Sequence, residues 1–225
     1  MSNKTLYVFG DSWPAGSDLD DVVKQGFPYL IAQKNNYTLD NLSQQATSLE
    51  HATWQFIKAV ERKPITKGDL VLFCITNPDR SWYWKNGYPL EMHPANTNHI
   101  ISSNYYKYIY SEDLANANAI KNMLMVYAMC QTLGVTCLFV YNWTVPLTKN
   151  STMPGIRLLP TELFYDKSLH EISGADITQG SHPNKLGHQR IADQLSAWIK
   201  TMAKAQFRSP SAMNSYAERW DYYDN

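Results

Sequence analysis

The chain is expected to adopt an α/β fold, a three-layer α/β/α sandwich with a mostly parallel central sheet. Two observations predict it. Short apolar runs alternate with stretches of helical periodicity along most of the chain. The run Asp69-Leu70-Val71-Leu72-Phe73-Cys74-Ile75-Thr76 is continuously apolar inside rather than alternating. That is the pattern of a strand covered on both faces, as parallel strands are.

Taken in order, the first strand is expected at residues 5–9, through Leu6-Tyr7-Val8-Phe9. A helix includes residues 27–34 and is ended by the pair Asn35-Asn36, which favours a left-handed C-cap. A second short strand follows at 37–42. The next helix runs over about 48–62, with Ser48 as N-cap and Leu49, Ala52, Phe56, Ile57 and Val60 as its apolar stripe. The run at 69–76 is the third strand and ends in Asn77-Pro78-Asp79-Arg80. Residues up to about 104 read as irregular, rich in Trp, Tyr, His, Asn and Pro. A long helix at 112–133 is closed by Gly134, and a buried strand follows at 135–141. After a Pro-containing loop, a short helix is expected at 162–169. A final amphipathic helix over about 184–203 turns Ile191, Leu195, Trp198, Ile199 and Met202 to the core.

At 225 residues the chain is long enough for a full core. Residues 1–205 read as one domain and 206–225 as a C-terminal tail, packed back or partner-binding. Lys plus Arg and Asp plus Glu are equal at 20 each, so no net field favours nucleic acid or an anionic membrane. No apolar run is long enough for a bilayer, and no apolar leader precedes the first strand; a cytoplasmic protein is expected. Cys74, Cys130 and Cys137 fit no zinc spacing and read as reduced core residues, so neither a metal nor another cofactor is expected.

Two stretches carry chemistry. Phe9-Gly10-Asp11-Ser12-Trp13-Pro14-Ala15-Gly16 follows the first strand, so Ser12 sits where a sheet ends and the chain bends. Gly180-Ser181-His182-Pro183-Asn184-Lys185-Leu186-Gly187-His188 precedes the last helix and places His182 on a punctuated loop. Together these blocks resemble the SGNH (GDSL-type) hydrolase family, in block order and element order over most of the chain. The many Asn and Tyr residues and compact N-terminus resemble phage-encoded members. Asn41-Leu42-Ser43-Gln44-Gln45-Ala46-Thr47-Ser48 looks like the family's second block, with Ala46 at its usual glycine. Thr76-Asn77 looks like its Asn block, with Ile75 where a glycine is usual.

The resemblance implies a flavodoxin-like SGNH hydrolase fold and serine acyl transfer. Ser12 would be the nucleophile and His182 its base. The backbone N–H groups of Ser12 and Ala46 and the Asn77 amide would hold the oxyanion. Asp11 would support its turn by accepting backbone N–H groups; His188 would pack behind the site. The family's Asp three residues before the His is Gln179 here. Asp176 is the candidate third member; a backbone carbonyl is the alternative orienter, and so is the Gln179 carbonyl.

Beyond Asn77, Arg80 is placed to face an anionic or carbonyl group, and Trp82, Trp84 and Tyr88 to stack on a sugar or cover an acyl pocket. The same rings equally suit a small satellite core. The expected substrate is a small-molecule or glycan ester, with a short acyl group on a carbohydrate. A catalytically weak glycan-binding module on the same fold is the alternative, kept by Gln179. A nucleotide-binding flavodoxin-like protein is disfavoured, because no G-x-G-x-x-G or P-loop pattern is present.

Overall fold

The computed structural model describes residues 4–86, 88–95, 99–143 and 155–205. The tail at 206–225 and the prolines Pro146 and Pro154 lie outside the described residues. In chain order the elements are β1 (Thr5–Phe9), α1 (Ser12–Ala15), α2 (Val22–Gln25), α3 (Phe27–Asn35), β2 (Thr38–Asn41), α4 (Leu49–Arg62), β3 (Leu70–Ile75), β4 (Ser81–Lys85), β5 (Tyr88–Met92), α5 (Ile100–Tyr108), α6 (Glu112–Leu133), β6 (Thr136–Tyr141), α7 (Leu169–Ser173) and α8 (Lys185–Ala205).

The central sheet has the order β2-β1-β3-β6, every neighbouring pair parallel. Helices cover both sides, α4 packing with α6, and α3 and α7 packing with α8. β1, β3 and β6 are almost wholly buried, as their continuous apolar runs require. Phe56, Phe9, Phe73 and Phe139 make successive ring contacts through the middle of this core. The chain leaves β1 for β2 on one side and returns to β3 on the other. The crevice at the C-terminal ends of β1 and β3 is therefore the switch point, where open α/β sheets bind ligands.

Local signals explain most boundaries. Ser48 caps α4 by accepting from His51 N, and Asn36 takes the left-handed conformation after α3. Gly134 closes α6 with φ 68°. Two stretches depart from expectation. Within 77–104, expected to be irregular, the described residues include the antiparallel β4–β5 hairpin and the start of α5. The hairpin signal is the Asn86-Gly87 pair between two aromatic-rich runs, and Asn86 has φ 53°. The short helix expected at 162–169 is displaced. Ile156–Leu158 and Thr161–Leu163 are 3₁₀ turns, and α7 begins only after Ser168. Ser168 and Glu171 form a capping box there, a reciprocal pair that fixes the helix start.

Gly10 makes the turn out of β1 possible. Its φ is +151°, and a Cβ would lie 2.7 Å from Cys74 Cβ and 2.8 Å from Pro14 Cγ. The backbone thus passes directly against β3, and no side chain fits between.

His188, on the first turns of α8, is fully buried and stacks on Phe27. Its Nδ1 accepts from Phe27 N at 3.1 Å, so the ring proton sits on Nε2. A second proton has to displace that hydrogen bond. Burial, and secondarily the nearby His182, push its pKa down to about 4. An unfolded histidine takes its proton near pH 6.5, so this residue's stabilisation is complete above that pH and is lost as pH falls toward 4. The expected loss between pH 7 and 4.5 is about 2–3 kcal/mol from His188 alone. Urea unfolding of the wild type and His188→Gln at both pH values checks this; the variant should lose correspondingly less.

Candidate active site

Asp11 and Ser12 stand at the end of β1, where the chain turns into α1. Asp11 is fully buried and gathers four donors: Trp13 N at 3.0 Å, Thr76 Oγ1 at 2.7 Å, Arg80 Nη1 at 3.0 Å and Asn142 Nδ2 at 2.5 Å. These come from α1, from beyond β3 and from the end of β6. One carboxylate therefore ties the turn to the C-terminal ends of the central strands. The expected backbone-supporting role of Asp11 is met, and three side chains add to it.

Ser12 opens α1 and is 8% exposed. Its Oγ lies 2.9 Å from His182 Nε2. His182 is carried by a tight loop at 177–183. Thr178 N donates to His182 O at 2.7 Å, His182 N donates to Thr178 Oγ1 at 3.3 Å, and Ile177 bridges Pro183. Pro183 and the Asn184 cap then fix the entry into α8, with Asn184 Oδ1 accepting from Leu186 N and Gly187 N.

The other ring nitrogen does not meet the residue expected. His182 Nδ1 lies 2.9 Å from Asp18 Oδ2. Asp176 is turned away: its carboxylate ion-pairs with Arg190 at 2.7 Å, and its carbonyl accepts from Asn184 N. Gln179 is exposed. The loop folds tightly over Thr178, and that brings residue 178, not 176, beside the ring. Asp18 was missed because Ser17-Asp18-Leu19-Asp20-Asp21 offers three carboxylates. Sequence spacing does not say which one turns inward.

Ala46 lies in the loop between β2 and α4. That loop is pinned to the Ser12 turn by Gln44 N on Gly10 O at 3.0 Å and by Asn41 Nδ2 on Pro14 O at 2.8 Å. Ala46 has φ 60°, the left-handed region that glycine occupies freely. Alanine adopts it at a cost of roughly 1–2 kcal/mol. Asn77 is half-buried just past β3, one residue after the Thr76 hydroxyl held by Asp11.

Arg80, expected to face an anionic or carbonyl group near the site, meets the Asp11 carboxylate. Its guanidinium, 14% exposed, is committed to Asp11. Trp82 stacks parallel on His51 at 5.3 Å, and Trp84 packs edge-on against Trp54. Both contacts pack the hairpin onto α4, and of the two only the Trp82 ring stacks on a buried partner. Glu91 completes that seam, accepting from Ser48 N at 3.0 Å and pairing with His51 Nδ1 at 2.5 Å. Trp84 stays 51% exposed and Tyr88 72%.

All three cysteines are buried and free, and burial raises the Cys74 and Cys137 thiols well above their ordinary range. Neither is poised as a thiolate nucleophile. Among the described residues no helix is long and apolar enough to cross a membrane.

No protein-family model matches the chain, and no curated protein matches it. Solved structures do. The psychrotrophic esterase EstA from Pseudoalteromonas sp., in a form inhibited by monoethylphosphonate, matches with TM-score 0.55 and 15% identity, over 90% of this chain and 100% of that one. A putative lipolytic protein of the G-D-S-L family from Desulfitobacterium hafniense matches with TM-score 0.53 and 10% identity, over 87% and 99%. The fold is that of the SGNH hydrolases. An acetyl xylan esterase, Est2A from Butyrivibrio proteoclasticus, is also similar: TM-score 0.53 and 12% identity, over 90% of this chain and 65% of that one. On the SGNH fold of this chain, Ser12 and His182 occupy the switch-point crevice, with the Ala46 loop and Asn77 flanking the same strand ends.

Proposed function

We propose that the protein is a serine-dependent ester hydrolase acting through an acyl-Ser12 intermediate. The observation that carries this reading is the 2.9 Å contact between Ser12 Oγ and His182 Nε2 at the switch point. With the ring proton on Nδ1 toward Asp18, Nε2 is the acceptor for the serine hydroxyl. Ser12 Oγ attacks the ester carbonyl as its proton passes to Nε2. The tetrahedral oxyanion is held by Ser12 N–H, Ala46 N–H and the Asn77 side-chain amide; loss of one such donor costs about a hundred- to a thousandfold in rate. The alkoxide leaves with the proton from Nε2, giving the acyl-enzyme. Water then attacks, losing its proton to Nε2; the acid departs as that proton returns to Ser12.

For the substrate we favour a short acyl ester on a carbohydrate. Supporting it are the exposed rings of Trp84 and Tyr88 on the hairpin that packs along α4, next to the Ala46 loop. The similar structures include an enzyme named for acetyl xylan as well as a protein named lipolytic. Gln179 favours the alternative, a catalytically weak glycan-binding module; the Asp18 carboxylate 2.9 Å from His182 Nδ1 supports the hydrolase instead. Initial rates on acetyl, butyryl and longer aryl esters test the assignment. Acetyl or butyryl turnover should exceed long-chain turnover at least tenfold. Preference for long chains overturns the substrate class, and no turnover of any ester by folded protein overturns the hydrolase.

A further inference from the structure

We infer that Asp18 is the carboxylate that positions His182, so that the nucleophile and the acid ride on one short segment, residues 12–18, and only the base comes from the far end of the chain. This rests on the ester-hydrolase reading for its catalytic meaning, but the contact itself is testable without it.

Five observations converge on Asp18. Its Oδ2 lies 2.9 Å from His182 Nδ1. The Thr178 hydroxyl donates to the same oxygen at 2.7 Å. These two hydrogen bonds, Thr178 first, hold the carboxyl below its ordinary pKa, so it is ionised at neutral pH. Residues 178 and 182 are cross-linked in one turn, so the loop presents a hydroxyl and an imidazole side by side to a single acceptor. Gly180 makes the approach possible, since a Cβ there would lie 2.4 Å from Asp18 Oδ2. Asp18 itself has φ 68°, a conformation that Asp and Asn tolerate better than other side chains. A carboxylate so placed selects the Nδ1–H tautomer and stabilises the imidazolium formed during acyl transfer. His188, whose pKa is lowered by burial and by the nearby His182, is neutral at working pH.

The Asp18 side chain is 39% exposed, so solvent screens it more than a buried triad aspartate. The expected effect is correspondingly below the roughly 10⁴-fold loss seen when a buried one is amidated. Asp18→Asn keeps the shape and the left-handed backbone. It should lower kcat about a hundredfold with KM within about threefold. The acid limb of kcat/KM should move to lower pH, because an imidazole without its anion is a weaker base. Asp176→Asn should stay within about threefold of wild type. Independently of turnover, the low-field His182 Nδ1–H proton resonance should be present in the wild type and lost in Asp18→Asn. An Asp18→Asn enzyme within threefold of wild type with an unmoved acid limb overturns the inference. So does an unchanged Nδ1–H resonance, or an Asp176→Asn loss as large as that of Asp18→Asn. Failure of the hydrolase reading shows separately, as absent turnover by the wild type, and the resonance still decides the Asp18 contact.

Discussion

Replacing Ser12 by alanine is expected to lower kcat on a short aryl ester by about 10⁴- to 10⁶-fold. The size follows from the mechanism: without Oγ no acyl-enzyme forms, and only the oxyanion donors and substrate positioning remain to accelerate attack by water. His182→Ala should cost about as much, because a serine hydroxyl without its base is a weak nucleophile. The double variant should be no slower than the worse single one, since two residues that act as a unit are non-additive. Ser12 is small and stands at the start of a four-residue helix, so alanine should leave the fold intact. Unchanged melting beside lost turnover separates chemistry from unfolding. Additive losses would instead assign Ser12 and His182 to separate tasks.

Replacing Asp11 by alanine is expected to cost about 3–5 kcal/mol of stability. The group is fully buried and holds four donors, one of them the nearly buried Arg80 guanidinium. Alanine strands that charge along with the Thr76 hydroxyl and the Asn142 amide in a low-dielectric interior, where unpaired polar groups are costly. Against a total stability of about 5–15 kcal/mol for a domain, this is a large fraction. Urea unfolding should show a lower midpoint at an unchanged slope. Arg80→Met removes one donor and leaves Asp11 three, so it should be milder. Combining it with Asp11→Asn should cost less than the sum, because the two residues are in direct contact. Additivity would place the cost of Asp11 outside the ion pair. Catalysis should fall as well in Asp11→Ala, because this carboxylate aims the Ser12 turn at the strand ends.

Much of this arrangement is written in local patterns. Continuous apolar runs report strands buried on both faces, which is why β1, β3 and β6 stand out. Ser48, Asn36 and Gly134 are caps whose chemistry acts within one turn, so they mark α4, α3 and α6 closely. Ser12 and His182 were legible together, through the resemblance of their two blocks to the SGNH hydrolases, and their side chains lie 2.9 Å apart. Where the reading missed, the deciding contact was long-range. Asp18 reaches His182 across 164 residues of chain, and Arg80 meets Asp11 across 69. A one-dimensional pattern holds the residue types but not the folding of the 177–183 loop that selects among carboxylates. The aromatic insertion was ambiguous for another reason: Trp82 and Trp84 suit a sugar platform and a packed hairpin equally. Stacking on His51 puts Trp82 in the packed hairpin, while Trp84 touches Trp54 and keeps half its surface exposed.

The most direct test of the central claim is covalent trapping of the native protein with a fluorophosphonate, read by intact mass and peptide mapping. A single adduct on Ser12 is predicted, absent from Ser12→Ala and slowed in Asp18→Asn. A folded protein that takes no adduct, or one whose adduct persists in Ser12→Ala, would contradict the account.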